Sequence, residues 1–372
     1  MASGFSLKDQ LFNREKVRYL AGLFALADTT FDGDAFEVRV MGRLPDLELK
    51  QRIAWIAEVL GEVLPGPLPE VAPVLLRALP LPLDASKTDD DFGDFIFAPL
   101  GEFVVAKGLE KHRDLALDLL GELTQRFSME WAVRPFLNRW PDQVMARMML
   151  WAGQDNYHLR RLASEGTRPR LPWGMAVGLE LQDPLPLLDV LHSDPTRYVT
   201  RSVANHLNDI TKKDPDLVLD RLALWRDRGV QDRKELDWMT SHALRGLIKA
   251  GHPKAMEMLG YDPQVELGAK IELKAEAVRI GEVLEFSCHL TAPQDLPVLV
   301  DYRLHFQRPN GKVSAKVFKL KQARLGAMGL TLTKRHPLKG NATTFTLVPG
   351  VHRIELMVNG RVRDEVSFEL IE

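Results

Sequence analysis

Basic and aromatic side chains cluster in one central stretch of the chain, residues 156–174, and in a second stretch at 201–216. The first has the sequence NYHLRRLASEGTRPRLPWG and the second RSVANHLNDITKKDPD. Their cations are Arg160, Arg161, Arg168, Arg170, Arg201, Lys212 and Lys213. Rows of such cations neutralise regularly spaced phosphates, and indoles such as Trp151 and Trp173 stack on bases or on cationic centres. The pattern predicts a surface that binds a nucleic-acid backbone.

The composition restricts where that surface can be and what else the chain can hold. The 372 residues carry a net charge of −2, so a basic surface must be a local patch. The single cysteine, Cys288, excludes an internal disulfide framework and multi-cysteine zinc sites, and we expect it to be buried as a small apolar side chain. Metal and phosphate-loop motifs are missing from the sequence, so we expect no metal and no cofactor.

The chain shows no targeting or membrane signal. Residues 1–17 lack the apolar core of a signal peptide, and no run of about eighteen apolar residues follows. We therefore expect a cytoplasmic monomer without membrane contact.

Residues 1–262 show helical periodicity and contain all the tryptophans. Ser128 is placed to cap a helix that opens at Met129, and Pro141 suits the first turn of the next helix. The segments 159–162, 199–202 and 243–246 form a weak repeat of about forty residues, each at the start of a predicted helix. Such a period in helix pairs predicts a mainly α, HEAT-like helical-repeat solenoid, with a concave face along its inner helices. An ordinary helical bundle is the alternative.

Residues 264–372 change to the two-residue period of β-strands. The seven predicted strands are KIELKAEAV, EVLEFSCHL, LPVLVDYRLHF, KVSAKVFKL, TTFTLV, VHRIELMV and EVSFELI. Turn signals separate them, and Asn310-Gly311 is the expected two-residue hairpin tip. Strands of this number and length predict a small all-β immunoglobulin-like sandwich without the antibody disulfide.

The strand-rich half has a run of cations between residues 312 and 339 that contains no acidic residue. Its members include Lys316, Lys319 and Lys321. Lysines commonly protect the edge of a sheet from aggregation. Because no acidic residue interrupts the run, we favour a surface that faces DNA phosphates. The acidic residues 89–91, beside Asp94, lack the spacing of a calcium loop and predict a solvated loop.

Glu130 is the carboxylate whose surroundings suggest chemistry, because it is followed by Trp131 and precedes a predicted helix. From the residues alone, helix capping or a favourable interaction with the helix dipole is the preferred explanation of a glutamate at this position. Asp155 and Asp209 are the next candidates in the same half of the chain.

A resemblance to a known family favours the catalytic interpretation of Glu130. The segments FSLKDQLFN, ELTQRFSMEWAVRPFL, WAGQDNYHLRRLASEGTRPRLPWG and SVANHLNDITKKDPD resemble the HEAT-like-repeat alkylpurine DNA glycosylases, specifically their AlkC branch. The resemblance covers most of residues 1–262, and the strand-rich tail resembles the immunoglobulin-like domain that some AlkC-type members carry. The AlkD branch is similar more loosely.

The resemblance implies roles for individual residues. Aligning 134–137 with the AlkD-type helix places Glu130 at the catalytic aspartate, and the AlkD-type tryptophan one turn earlier falls near 126–127. Arg161 matches the arginine that contacts the DNA backbone, and Asn205 falls where AlkD has a second tryptophan. Trp173 or Trp131 could replace the missing aromatic contact with the lesion.

The implied activity is excision of cationic N-alkylated bases, such as 3-methyladenine or 3-methylcytosine, from double-stranded DNA. A cationic base leaves without a general acid, so the enzyme needs an ionised carboxylate to stabilise an oxocarbenium-like sugar and to orient water. The family resemblance also implies excision without base flipping. A non-catalytic HEAT-repeat scaffold that binds DNA or a protein is the alternative function.

Overall fold

Helical periodicity in the first two thirds of the chain and strand periodicity in the last third produce the two expected kinds of structure. The computed structural model describes residues 6–87, 92–340 and 345–372. The acidic residues 89–91 therefore lie outside the described residues.

The helices follow one another with short connections. They are α1 (Leu7–Leu11), α2 (Arg14–Ala27), α3 (Gly33–Met41), α4 (Leu49–Val63), α5 (Leu68–Ala78), α6 (Ala98–Gly108), α7 (Arg113–Leu123), α8 (Val133–Arg139), α9 (Pro141–Ala152), α10 (Tyr157–Gly166), α11 (Leu185–Leu191), α12 (Arg197–Ile210), α13 (Pro215–Arg228), α14 (Arg233–Ala243), α15 (Arg245–Ala250) and α16 (Pro253–Met258), with short 3-10 turns at Leu44–Asp46 and Phe95–Phe97.

Local signals set several of these helix starts. The Asn156 side chain caps α10 by accepting a hydrogen bond from the backbone nitrogen of His158. Pro141 is at the start of α9, as predicted. The helix predicted to open at Met129 instead begins at Val133, and the Ser128 hydroxyl does not cap it because that hydroxyl donates to the side chain of Glu130.

The repeat predicted from the sequence corresponds to stacked helices. Helix α10 packs against α12, and α12 packs against α14, while α9 packs against α11. The first two copies of the repeat fall in the first half of α10 and of α12. The third copy spans the end of α14 and the start of α15. This ordered stacking is that of a HEAT-like helical repeat.

The strands are β1 (Gly268–Leu273), β2 (Ala277–Arg279), β3 (Val283–Thr291), β4 (Leu296–Gln307), β5 (Val313–Leu325), β6 (Leu330–Pro337), β7 (Gly350–Val358) and β8 (Arg361–Ile371). They form one sheet of order β1-β3-β6 and a second of order β2-β8-β7-β4-β5. Inward side chains such as Leu284, Tyr302 and Ile354 form the shared core. Cys288 is buried there as predicted, and burial raises the pKa of its thiol to about 12.

The strand predictions need three corrections. The first predicted strand divides into β1 and β2, and β6 was missed. The segment predicted as TTFTLV is not a strand in its described part, residues 345–348.

The turn prediction also needs a correction, because the two-residue hairpin tip is Asn359-Gly360 rather than Asn310-Gly311. Both residues of the observed tip have positive φ, 49° and 78°, and Val358 pairs directly with Arg361. Asn310-Gly311 does turn the chain between β4 and β5, but within a longer loop.

The chain divides into two compact units, one of Met1–Lys213 with Leu222–Ala243 and one of Asp214–Arg221 with Leu244–Glu372. Helices α15 and α16 therefore group with the strands. In this second unit, a Cβ on Gly251 would lie 2.3 Å from the carbonyl oxygen of Gly360, so glycine permits the close approach. The domain boundary between 262 and 264 stays a prediction.

No single helix among the described residues meets the length and hydropathy needed to cross a bilayer. Helices α4 and α5 satisfy that test only when taken together, and they are bent by 114° relative to each other.

Candidate active site

Glu130 lies in the turn that precedes α8. Its carboxylate oxygen Oε2 accepts hydrogen bonds from the Ser128 hydroxyl at 2.7 Å and from Nη1 of Arg161 at 2.6 Å. The side chain keeps 15% of its surface exposed. Both bonds go to Oε2, so the other oxygen, Oε1, is not used by these two partners. An oriented carboxylate that is mostly shielded from water but still partly open to the surface can act as an electrostatic catalyst.

Arg161 is buried in helix α10 and organises this carboxylate. Its guanidinium also donates to the Ser128 hydroxyl at 2.6 Å. It lies over the rings of Phe92 at 5.4 Å and Tyr198 at 4.7 Å. Burial alone would lower the pKa of Arg161, but the carboxylates of Glu130 and Glu165 outweigh that effect and raise the pKa. Arg161 therefore stays a cation.

A second group of buried charges extends from Arg161 along α10 and α12. Glu165 lies 3.7 Å from Arg161, accepts from the Ser202 hydroxyl at 2.6 Å and pairs with Arg168. Arg168 also pairs with Asp209 at 2.8 Å. Burial by itself raises the pKa of Glu165, but the two arginines outweigh this and lower it. Sequence analysis missed Glu165, whose signals were its i,i+4 spacing from Arg161 and its i,i+3 spacing from Arg168.

Two indoles lie next to the Glu130 turn. The rings of Trp131 and Trp173 are 6.0 Å apart, and Nε1 of Trp131 donates to the carbonyl of Pro172 at 3.2 Å. Trp173 is 52% exposed. At the position aligned with the AlkD-type tryptophan, Phe127 is buried and packs 6.3 Å from Trp131. A partly exposed aromatic pair therefore lies beside the turn that carries Glu130.

The predicted phosphate-binding residues occupy two kinds of environment. Arg170, Lys212 and Lys213 are exposed, although Lys212 also pairs with Asp209 at 2.8 Å. Arg160, Arg161 and Arg168 are held in ion pairs within the protein, and Arg160 binds Asp194 at 2.6 Å. Arg201 is half-buried. Of the predicted phosphate-binding residues in this unit, Arg170, Lys212 and Lys213 are therefore the ones whose side chains lie at the surface.

The remaining predicted site residues of this unit lie apart from the Glu130 carboxylate contacts. Asp155 is exposed, and its backbone carbonyl accepts from Arg160 at 2.7 Å. Asn205 shares a 2.9 Å hydrogen bond with Nε2 of His242. Among the residues that the structure describes, no group of three or more His, Cys, Asp or Glu side chains is arranged to hold a metal ion.

In the second unit, Lys316, Lys319 and Lys321 lie on β5, which is an edge of the five-stranded sheet. All three are exposed. The cation run is not without acidic partners, because Arg324 pairs with Asp295 and Arg335 with Glu285 from outside the run. Lys319 donates to Oε1 of Gln322 at 2.7 Å, and Nζ of Lys316 lies 5.3 Å from the centre of the Phe318 ring, so both side chains have partners within β5. Their place on an edge strand suits edge protection.

Comparisons with known proteins place this geometry in a family. Residues 268–372 match the model of "Uncharacterised protein YhaZ, C-terminal Ig-like domain". The uncharacterized protein YhaZ of Bacillus subtilis is 32% identical over 330 residues, which cover 88% of each chain. The Pseudomonas fluorescens alkylpurine DNA glycosylase AlkC, solved bound to DNA containing an abasic site analog, is similar with a TM-score of 0.87 and 31% identity. That match covers 99% of this chain and 100% of the other.

Both halves are therefore accounted for by one group of relatives, and the resemblance found in the sequence is confirmed. The chain belongs to the alkylpurine DNA glycosylase family, in the AlkC branch that includes YhaZ and carries a C-terminal immunoglobulin-like domain.

Proposed function

We propose that this protein is a DNA glycosylase that hydrolyses the N-glycosidic bond of cationic alkylated bases in duplex DNA, including 3-methyladenine and, as a second substrate, 3-methylcytosine. The observation that carries the proposal is the Glu130 carboxylate, fixed through Oε2 by Arg161 and Ser128 and still 15% exposed. The likeness to AlkC over nearly the whole chain supports the same reaction class.

The chemical step needs little beyond this carboxylate. The bond from C1′ of the sugar to the base breaks, and its electron pair leaves with the base, which becomes neutral. The positive charge then lies on the sugar, where an ionised Glu130 stabilises it. Water adds to C1′ and gives up a proton to the bulk solvent, leaving an abasic site and the free neutral base. No protonation of the base is required, consistent with excision without base flipping.

Arg161 has a role in this proposal that differs from phosphate binding. A carboxylate beside a growing positive charge must be held in place, and the bond from Arg161 does this. The exposed Arg170, Lys212 and Lys213 then supply the contacts to the DNA backbone. Lys316, Lys319 and Lys321 of the sandwich add a second cationic surface for the same duplex.

The test is single-turnover excision of 3-methyladenine by the parent protein and by Glu130→Gln. Glutamine keeps the shape and can still accept from Arg161, but it removes the charge. We expect the rate to fall by about a hundredfold or more, the scale of one lost electrostatic stabiliser. Asp155→Asn tests the competing carboxylate. Excision at the parental rate by Glu130→Gln, with loss in Asp155→Asn, would move the catalytic role to Asp155.

A further inference from the structure

Trp173 adopts a backbone conformation that glycine normally supplies. Its φ is 64°, and it is the third residue of a turn closed by the 3.1 Å hydrogen bond from the nitrogen of Gly174 to the carbonyl of Leu171. Proline, here Pro172, is favoured at the second position of such turns, and glycine or asparagine at a third position with positive φ. A tryptophan there is an outlier that costs free energy.

Burial of the indole does not compensate for this strain, because half of the side chain is exposed. Among the described residues, Asn359 is the other non-glycine residue with positive φ, and asparagine tolerates that region. Strain at an exposed tryptophan beside the Glu130 turn therefore points to a requirement for the indole at this place rather than to a requirement of the fold.

Three side chains from other parts of the first unit hold the turn and the residue that follows it. Lys50, in the first turn of α4, donates through Nζ to the backbone carbonyl of Trp173 itself. Trp131 donates to the carbonyl of Pro172 at 3.2 Å, and Arg134 donates to the carbonyl of Met175 at 2.5 Å. Lys50 is the one that bonds the strained residue directly, and it is 123 residues away in sequence.

We propose that Lys50 is a positioning residue for the glycosylase reaction, which holds the strained Trp173 turn so that the indole forms a preset platform beside Trp131 and Glu130. The proposal rests on the proposed function for its effect on rate. The effect of Lys50 on the conformation of the Trp173 turn does not depend on that function. A platform fixed in advance lowers the cost of orienting the lesion in the transition state, and small misplacements of such groups are expensive.

The rate test compares Lys50→Met, Lys50→Arg and a matched control, Lys107→Met. Lys107 also donates through Nζ to a backbone carbonyl, that of Gly66 at 2.7 Å, but its partner is not in the turn. We expect Lys50→Met to lower the single-turnover rate at saturating DNA by about tenfold to a hundredfold. Affinity and its salt dependence should be unchanged, Lys50→Arg should restore most of the rate, and Lys107→Met should match the parent.

Two results of this test would overturn the proposal. A Lys50→Met protein that keeps the parental rate but binds more weakly, with a salt dependence reduced by about one unit, would make Lys50 a phosphate ligand. A Lys50→Met protein that equals the parent in both measurements would give Lys50 no role.

A stability test separates this proposal from the proposed function, because it needs no activity. Trp173→Gly and Trp173→Ala both remove the indole, but only glycine relieves the positive φ. We expect Trp173→Gly to melt at a higher temperature than Trp173→Ala. That difference should shrink when Lys50 is also replaced by methionine, since the released turn can relax. Equal melting temperatures, or a difference that Lys50→Met does not change, would refute the proposal even if excision is observed. If no excision is observed but the difference behaves as expected, the proposed function fails and the account of the turn stands.

Discussion

Replacing Arg161 distinguishes a buried organising cation from a phosphate contact. We consider Arg161→Met, which keeps much of the side-chain volume but removes the charge. The side chain of Arg161 is 8% exposed and that of its partner Glu130 is 15% exposed, so the pair is largely shielded from solvent. The substitution leaves Glu130 and Glu165 without this cation and removes the contacts with Phe92 and Tyr198.

Breaking a buried pair by removing one partner costs about 3–5 kcal/mol, a large fraction of the roughly 5–15 kcal/mol that stabilises a typical protein. We therefore expect the free energy of unfolding to fall by this amount in urea denaturation, and excision to fall with it because Glu130 loses its orienting bond. The salt dependence of DNA binding should change little.

Arg170→Met is the matched control, because Arg170 is exposed. It should leave stability within about 0.5 kcal/mol of the parent and reduce the salt dependence of binding by about one unit. The opposite pattern would refute our assignment: Arg161→Met as stable as the parent and with a flattened salt dependence, equal on damaged and undamaged DNA. Arg161 would then contact the backbone, as the family resemblance implied.

Two further predictions concern pH and the sandwich. Burial lowers the pKa of His206 to about 4, below its unfolded value of 6.5, so the stability it contributes is present above pH 6.5 and is lost as pH falls toward 4. Asparagine at this position can still donate to the carbonyl of Ser164 but does not titrate. His206→Asn should therefore lessen the fall in the free energy of unfolding between pH 7 and pH 4 by up to about 3 kcal/mol, measured by denaturation at both pH values. An unchanged difference between the two pH values would show that His206 does not titrate in this way. Replacing Lys316 and Lys321 with glutamate should lower excision and flatten the salt dependence of DNA binding without changing the melting temperature, since both are exposed. Lys319 is left in place because it is the cross-strand neighbour of the buried Asp301. Unaltered activity and binding would assign these lysines to protection of the sheet edge.

The sequence predicted the two kinds of structure because periodicity is a local signal that does not depend on partners. The family resemblance was needed to single out Glu130 as the catalytic candidate, because the residue types alone favoured helix capping. The start of α8 was predicted too early because Ser128 and Glu130 resemble a capping pair, yet these side chains bond to each other and to Arg161.

Long-range contacts explain what the sequence could not predict. Arg160, Arg161 and Arg168 have the spacing of phosphate ligands, but their ion-pair partners include residues of neighbouring repeats such as Asp194 and Asp209. The strain at Trp173 and its bond to Lys50 likewise join distant segments. The prediction of the hairpin tip was wrong for a different reason. Asn-Gly pairs occur in both turns, and only the pairing register of β7 and β8 makes Asn359-Gly360 the two-residue tip.

The most direct test of the central claim is incubation of the full chain with a duplex that carries a single 3-methyladenine, followed by detection of the released base and of alkali-labile abasic sites. The account predicts release of free 3-methyladenine and an equal amount of abasic sites, with no release from the undamaged duplex. Tight binding to the duplex with no released base would contradict it and would favour the non-catalytic scaffold.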